Sequence, residues 1–244
     1  KAIDDYVTAR MRSSRIPGIA LVIVKGDRIV YARGYGRAGP AGEPMTPQTP
    51  ALLGSVTKSI TALAVMQLVE AGRLDLDAPV QRYIPWFRVS DPVASAQITV
   101  RHLLMQTSGM RQSPISQTIF DTDAGALERS VRSLASVKLI GPPGESFIYS
   151  NGNYDTLGLL VQTVSGLSYE DYVRQNIFAP LDMRNSYLSQ DEAMQHGMAT
   201  GHRWWYGIPV PATLPFDRSD LPAGYAIASA EDMGHFIVAQ LNGG

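Results

Sequence analysis

Ser55-Val56-Thr57-Lys58-Ser59-Ile60-Thr61-Ala62-Leu63-Ala64-Val65 is the stretch on which the reading of this chain turns. It stands where a strand-rich N-terminus gives way to a long apolar helix. That helix is predicted from Ser55 to Ala71, with Gly72 just past the last apolar turn. Lys58 follows Ser55 by three residues, about one turn along the same face. Serine is inert at its own pKa and needs a neighbouring base to attack a carbonyl. A hydroxyl and an amine so spaced make a candidate nucleophile and base. The plain alternative is an N-cap serine with a solvated lysine in the next turn. A second signal lies far downstream in Tyr149-Ser150-Asn151, after Gly141-Pro142-Pro143-Gly144 and before another apolar helix.

Composition bounds the rest. A chain of 244 residues can bury a sizeable core as one large domain or two lobes. Apolar residues at 45% and charged residues at 18% are ordinary for a globular protein. The net charge of -1 gives no basic face, which argues against nucleic acid as a partner. Without cysteine there is no disulfide, thiolate metal site or cysteine nucleophile. No apolar run approaches the ~18–20 residues of a membrane span. The chain lacks an initiator methionine and a signal-like apolar region, so a processed or trimmed form is expected.

Outward from Ser55, residues 2–14 predict a helix with Ile3, Tyr6, Val7 and Met11 on one side, ended by Pro17 and Gly18. Ile19 to Val24 and Arg28 to Tyr35 predict two strands of a hairpin, because Lys25-Gly26-Asp27 between β-branched runs is strong turn chemistry. Thr99 is placed to cap a short helix through Gln106. Asn153 to Val164 is amphipathic and stops at Gly166. Ser168, with Asp171 at the third helical position, opens a helix predicted to run to Phe178. Residues 189–222 show little regular pattern, and Ala230 to Leu241 forms a last helix.

Other chemistries find no seat. There is no Gly-x-Ser-x-Gly elbow for an α/β-hydrolase triad. His102, His196, His202 and His235 are scattered and read as structural or surface residues, so no metal site is expected. Gly34-Tyr35-Gly36 reads as a bend. Trp204, Trp205 and Tyr206 form an aromatic cluster that either packs beneath a long loop or walls a substrate cleft. Asp217, Arg218 and Asp220 read as solvated charges.

The chain resembles the serine β-lactamase and penicillin-binding-protein-like family, on the branch of class C β-lactamases, D-aminopeptidases and family VIII esterases. Leu53-Gly54-Ser55-Val56-Thr57-Lys58-Ser59 is similar to its nucleophile segment. Ile98 to Leu104 through Thr107-Ser108-Gly109 is similar to the family's helix and following turn. Pro143-Gly144, Phe147 to Asn151, Tyr154 and Leu157-Gly158 match its tyrosine segment in order and spacing. Ile177 to Leu181 and Ser229 to Met233 resemble it too.

The resemblance implies an α/β (α+β) fold of two lobes with the site between them. One lobe has an antiparallel sheet flanked by helices, and the other is mainly helical. As one catalytic domain over 1–244, residues 1–54 would give the N-terminal helix and hairpin, 55–228 the helical lobe with loops, and 229–244 a returning helix. It implies Ser55 as the acylated nucleophile, Lys58 as its proton partner and Tyr149 as a second acid or base. Asn151 would orient substrate and the lysine, and Trp204 and Trp205 are assigned to substrate contact. A free lysine near pKa ~10.4 is protonated at neutral pH, so burial or the helix's positive end would have to lower it. In the other scheme Lys58 stays charged and holds Tyr149 as the phenolate base, and both schemes remain open. The Ser55 amide would supply one oxyanion donor.

Two departures bear on these expectations. The family's third motif, a Lys/His-Ser/Thr-Gly-like triplet on a later strand, and the closing strands of the sheet are missing from the chain. Only the N-terminal hairpin of the sheet is encoded. A C-terminal fragment completing the sheet, or a membrane tether beyond Gly244, would be partners of that kind. Gln106 replaces the histidine common in relatives before Thr-Ser-Gly and is expected to affect the turn more than the chemistry.

The implied function is a serine acyl hydrolase acting through an acyl-enzyme on an amide or ester. A D-amino-acid peptide, a β-lactam or a short acyl ester would serve, with peptidase or esterase favoured over dedicated β-lactamase. No cofactor is implied. The implied location is extracytoplasmic: periplasmic, secreted or membrane-anchored facing outward. The alternative is a catalytically silent sensor or partner-binding domain on the same scaffold.

Overall fold

The computed structural model describes residues 1–111 and 121–243. They form two compact units, one of Lys1–Leu52, Phe178–Pro215 and Ile227–Gly244, the other of Leu53–Ile177 and Phe216–Ala226. Phe178–Pro215 therefore groups with the N-terminal hairpin, whereas the 55–228 boundary placed it with the helices. Long-range backbone bonds explain the difference. Ala199 N donates to Pro50 O at 2.8 Å and Thr200 N to Ala38 O at 2.7 Å, and no local pattern encodes such bonds.

The first unit is mixed α and β. Helix Ala2–Ser14 leads into antiparallel strands Gly18–Lys25 and Arg28–Gly36, paired from Gly18 opposite Gly36 to Lys25 opposite Arg28 with a shift of register between Ile23 and Val24. Helix Ala230–Leu241, capped by the Ser229 side chain on Asp232 N, packs on this hairpin. A Cβ at Gly234 would stand 2.6 Å from Ile29 Cδ1. The hairpin is not the only sheet. Ala51–Leu52 and Ser186–Tyr187 flank Ile227–Ala228 in an antiparallel three-stranded sheet, each strand two residues long. Pairs so short leave no alternation in the sequence.

The stretch predicted to be irregular, 189–222, also carries structure. Helix Gln190–Gln195 is capped by Ser189, and strands His202–Trp205 and Ile208–Pro211 form a second hairpin. Its turn, Tyr206-Gly207, has both residues at positive φ, 45° and 76°, as the tightest hairpin turns require. Pro209 and Pro211 hid this strand, because proline in a run argues against one.

The second unit is helical and centres on Asn151–Ser165, whose residues Gly152 to Val161 are all buried. This helix starts two residues earlier than predicted and ends on Gly166 at φ 78°. Thr57–Glu70 packs against it, burying Lys58, Ile60, Thr61, Ala64, Val65 and Leu68 on one face. Gly72, at φ 69°, ends that helix as expected, with Arg73 N donating to Leu68 O. Tyr169–Val173 is capped by Ser168 on Asp171 N as predicted, but the turn Arg174–Phe178 widens into a π-helix.

Candidate active site

Ser55, Lys58, Tyr149 and Asn151 all belong to the helical unit. Gly54, at φ 56°, turns the chain into a tight 3-10 turn, Gly54–Val56, which puts Ser55 immediately ahead of helix Thr57–Glu70. Ser55 is exposed and Lys58, one turn further in, is buried at 8% exposure. The bland reading of a solvated lysine is thereby set aside.

The segment carrying Tyr149 is clamped by the loop after helix Val100–Leu104. Thr99 caps that helix on His102 N, with the His102 ring bonded back to Thr99 N, so this histidine is structural. Gln106 then takes a left-handed φ of 58°. Its carbonyl accepts from Ile148 N at 2.8 Å, and its side-chain oxygen accepts from Ser150 N at 2.9 Å and Asn153 Nδ2 at 2.5 Å. Thr107 O accepts from Gly144 N at 2.7 Å. Both neighbours of Tyr149 are thus fixed by one buried glutamine. Gln106 does shape the turn, as expected, and it also sets where the tyrosine stands.

The Tyr149 hydroxyl donates to Ser55 Oγ at 2.8 Å. Lys58 Nζ lies 4.8 Å from the Tyr149 ring centroid and 5.6 Å from that of Tyr154, between two aromatic faces. It donates to Asn151 Oδ1 at 2.8 Å and to Ala223 O at 2.6 Å. The hydroxyl, amine, phenol and amide, separated by up to 96 positions in the chain, meet in one place.

A further segment completes it. Residues 220–226 lie along the Thr57–Glu70 helix, held by side chains on its first turns. Thr57 Oγ1 accepts from Ala226 N at 3.1 Å, Thr61 Oγ1 donates to Pro222 O at 2.7 Å, and Lys58 takes Ala223 O. On the far side, Gly158 meets Pro222 so closely that a Cβ there would be 2.2 Å from Pro222 Cγ. The segment brings Asp220, whose Oδ2 accepts from Asn151 Nδ2 at 3.0 Å.

This corrects the reading of residues 217–220 as solvated. Asp217 is buried at 8% exposure, its carboxylate capping Ser219 N. Arg218 is paired with Glu170 at 2.6 Å. Burial pushes the Asp220 carboxyl up to about 6, against the opposing pull of Asp155, Lys58 and Asn151. Asp155, one turn beyond Asn151, is buried at 5% exposure and pushed well above the usual carboxylate range, first by burial and then by Asp220. Polar residue type in a loop suggested water, and only tertiary packing removes it. Asp155 did carry a signal, since it is an acid inside an apolar helical run one turn after Asn151.

Trp204 and Trp205 belong to the other unit, on the hairpin strand His202–Trp205, at 61% and 57% exposure. Trp205 stacks edge-on with Tyr206, and the Arg203 guanidinium lies 5.6 Å from the Trp205 ring. The cluster is therefore not packing beneath a loop.

The chain belongs to the beta-lactamase family, whose model matches residues 3–244. It is 32% identical over 241 residues to "Protein flp" of Staphylococcus aureus (strain MW2), covering 98% of this chain and 48% of that protein. It is 34% identical over 235 residues to "Penicillin-binding protein 4" of Amycolatopsis lactamdurans, covering 94% and 60%. Among solved structures, the octameric penicillin-binding protein homologue from Pyrococcus abyssi superimposes with a TM-score of 0.82 at 30% identity, covering 97% of this chain and 55% of that one. The chain spans about half the length of the curated flp relatives it matches. The family is one of serine hydrolases, and its mixed α/β fold is the one described above.

Proposed function

We propose that this chain carries the acyl-enzyme centre of a serine hydrolase, with Ser55 as nucleophile, Lys58 and Tyr149 as its proton-handling partners and Asn151 as orienting residue. The observation that carries this reading is the 2.8 Å contact between the Tyr149 hydroxyl and Ser55 Oγ, with Lys58 Nζ above the phenol ring.

That geometry favours Tyr149 as the group exchanging a proton with Ser55, since the ammonium is engaged by the oxygens of Asn151 and Ala223. In this scheme Tyr149 first releases its hydroxyl proton to solvent, and its oxygen then takes the Ser55 proton as Oγ bonds the substrate carbonyl carbon. The carbonyl electrons move to the carbonyl oxygen, for which the Ser55 amide is the proposed donor. Collapse expels the amine or alcohol, which takes the proton back from Tyr149. Water repeats the sequence on the acyl-serine, releasing the acid.

An amide or ester of small size is the substrate class, and peptidase or esterase action is favoured over dedicated β-lactamase action. The proposal extends to Trp204 and Trp205 as substrate-contacting residues, supported by their exposure. It also extends to an extracytoplasmic place of action, supported by family membership. No helix among the described residues is long and apolar enough to cross a membrane.

The test is labelling by a fluorescent penicillin and by p-nitrophenyl acetate, followed by mass spectrometry of the adduct. An acyl group on Ser55, absent from Ser55→Ala, is expected. A folded wild-type chain that both reagents leave unmodified at Ser55 would overturn the reading and favour a silent binding domain.

A further inference from the structure

Two acids lie beneath the site, and the acyl transfer just described uses neither. Asp220 accepts from Asn151 Nδ2, the same amide whose oxygen accepts from Lys58 Nζ. Asp155 sits one turn from Asn151 on the buried helix, against which the turn carrying Asp220 packs, so that the two carboxyls act on each other electrostatically. Asp155 Oδ2 takes the Ser130 hydroxyl at 3.4 Å, while its Oδ1 is buried with no donor among the described residues. An ionised carboxylate with a buried, unserved oxygen facing a second carboxylate is costly twice over. A single proton between them removes both costs, with Asp155 as the neutral donor and Asp220 as the anion.

We infer that Asp155 and Asp220 share one proton and act as a positioning pair, whose single negative charge fixes Asn151 and holds Lys58 beside Tyr149. The inference rests on the acyl-hydrolase reading for its catalytic consequence but not for the shared proton itself.

Every neighbour of Asp220 bears on its charge. Lys58 on the Thr57–Glu70 helix and the Asn151 amide favour the anion, Asp217 opposes it, and Tyr225 borders it. Asp155 is faced by Asp220, Lys58, Asp217 and the Ser130 hydroxyl. The balance leaves Asp220 titrating at about 6 and Asp155 well above its ordinary range. Protonating Asp220 at lower pH removes the anion that Lys58 and Asn151 are arranged around. Acylation should therefore fall on the acid side with that midpoint.

The experiment has two arms. In the first, carboxyl-13C-aspartate protein is titrated by NMR. One carboxyl with a midpoint near 6 is expected, lost in Asp220→Asn, together with one still protonated at neutral pH, lost in Asp155→Asn. If every aspartate of the wild type titrates in the ordinary range, the shared proton is refuted whatever the variants do. In the second arm, acylation by p-nitrophenyl acetate is followed against pH. Asp220→Asn should lose the acid limb and stay at the low rate of the protonated wild type. Asp155→Asn, which can still donate, should keep the limb near its original midpoint. Asp155→Leu, which cannot, should move it upward by roughly one pH unit. A limb unchanged in Asp220→Asn overturns the positioning role even where the titration arm holds. A wild type that titrates as expected but is never acylated overturns the hydrolase reading and the positioning role, and leaves the shared proton standing.

Discussion

The site has two faces built by opposite rules. On the outer face Ser55 is exposed, Tyr149 is 41% exposed, and a single hydrogen bond joins them. On the inner face Lys58, Asp155 and Asp220 are withdrawn from bulk water and tied to a carbonyl, an amide and each other. Groups that must meet a substrate are cheap to place, because solvent satisfies whatever the protein does not. Groups that set charge are costly to bury and therefore demand a complete set of partners. Substitutions on the two faces should consequently separate activity from stability.

The largest effect is expected at Lys58, which touches both. Lys58→Ala should abolish acylation and also lower stability by about 1–3 kcal/mol, because Asn151 Oδ1 and Ala223 O lose their donor. Urea unfolding measures the second loss, and an unchanged midpoint would remove Lys58 from the inner face. Tyr149→Phe should divide the two quantities cleanly. Turnover falls about 10²–10⁴-fold while the melting temperature hardly moves, since the lost bond is solvent-accessible. Near-normal turnover would take Tyr149 out of the mechanism.

A smaller effect concerns pH. Asp155 and Asp220 are both raised above their unfolded values, so their contribution to stability is full below the ordinary carboxylate pKa near 3.8. It is lost as pH rises through the folded values, for Asp220 about 6. The wild type should thus melt a few degrees higher at pH 5 than at pH 7.5 through these groups, and Asp155→Asn should narrow the gap, by calorimetry. A gap as wide in the variant as in the wild type would contradict the sign assigned to Asp155. The smallest effect is expected at Trp204→Ala and Trp205→Ala. Their exposure should keep stability within about 0.5 kcal/mol, so a raised KM would report substrate contact and an unchanged KM would end that assignment.

The outer face and Lys58 were legible in the sequence, and the place of Asp220 on the inner face was not. Ser55 with Lys58, and Tyr149 with Asn151, stand at short fixed offsets on helix starts, where type and spacing carry the meaning. The first hairpin was legible for a similar reason, with Gly26-Asp27 between two β-branched runs. Asp220 has no such frame. Its role depends on Thr57, Lys58 and Thr61 gripping residues 220–226 from more than 150 positions away. The second hairpin was masked by its own prolines, and the two-residue strands by their brevity. What escaped the sequence was whatever depended on long-range backbone pairing.

One feature without charge or reactivity governs the dimensions of the inner face. Gly158 lets the Asn151–Ser165 helix and Pro222 approach to a separation at which even a methyl group would overlap the proline ring. Asn151 and Asp155 ride on one side of that contact, Asp220 and Ala223 on the other. Alanine at 158 would act as a wedge, widening every gap that Lys58 and Asn151 bridge. The spacing of the groups proposed to handle protons is set by a residue whose whole side chain is one hydrogen atom.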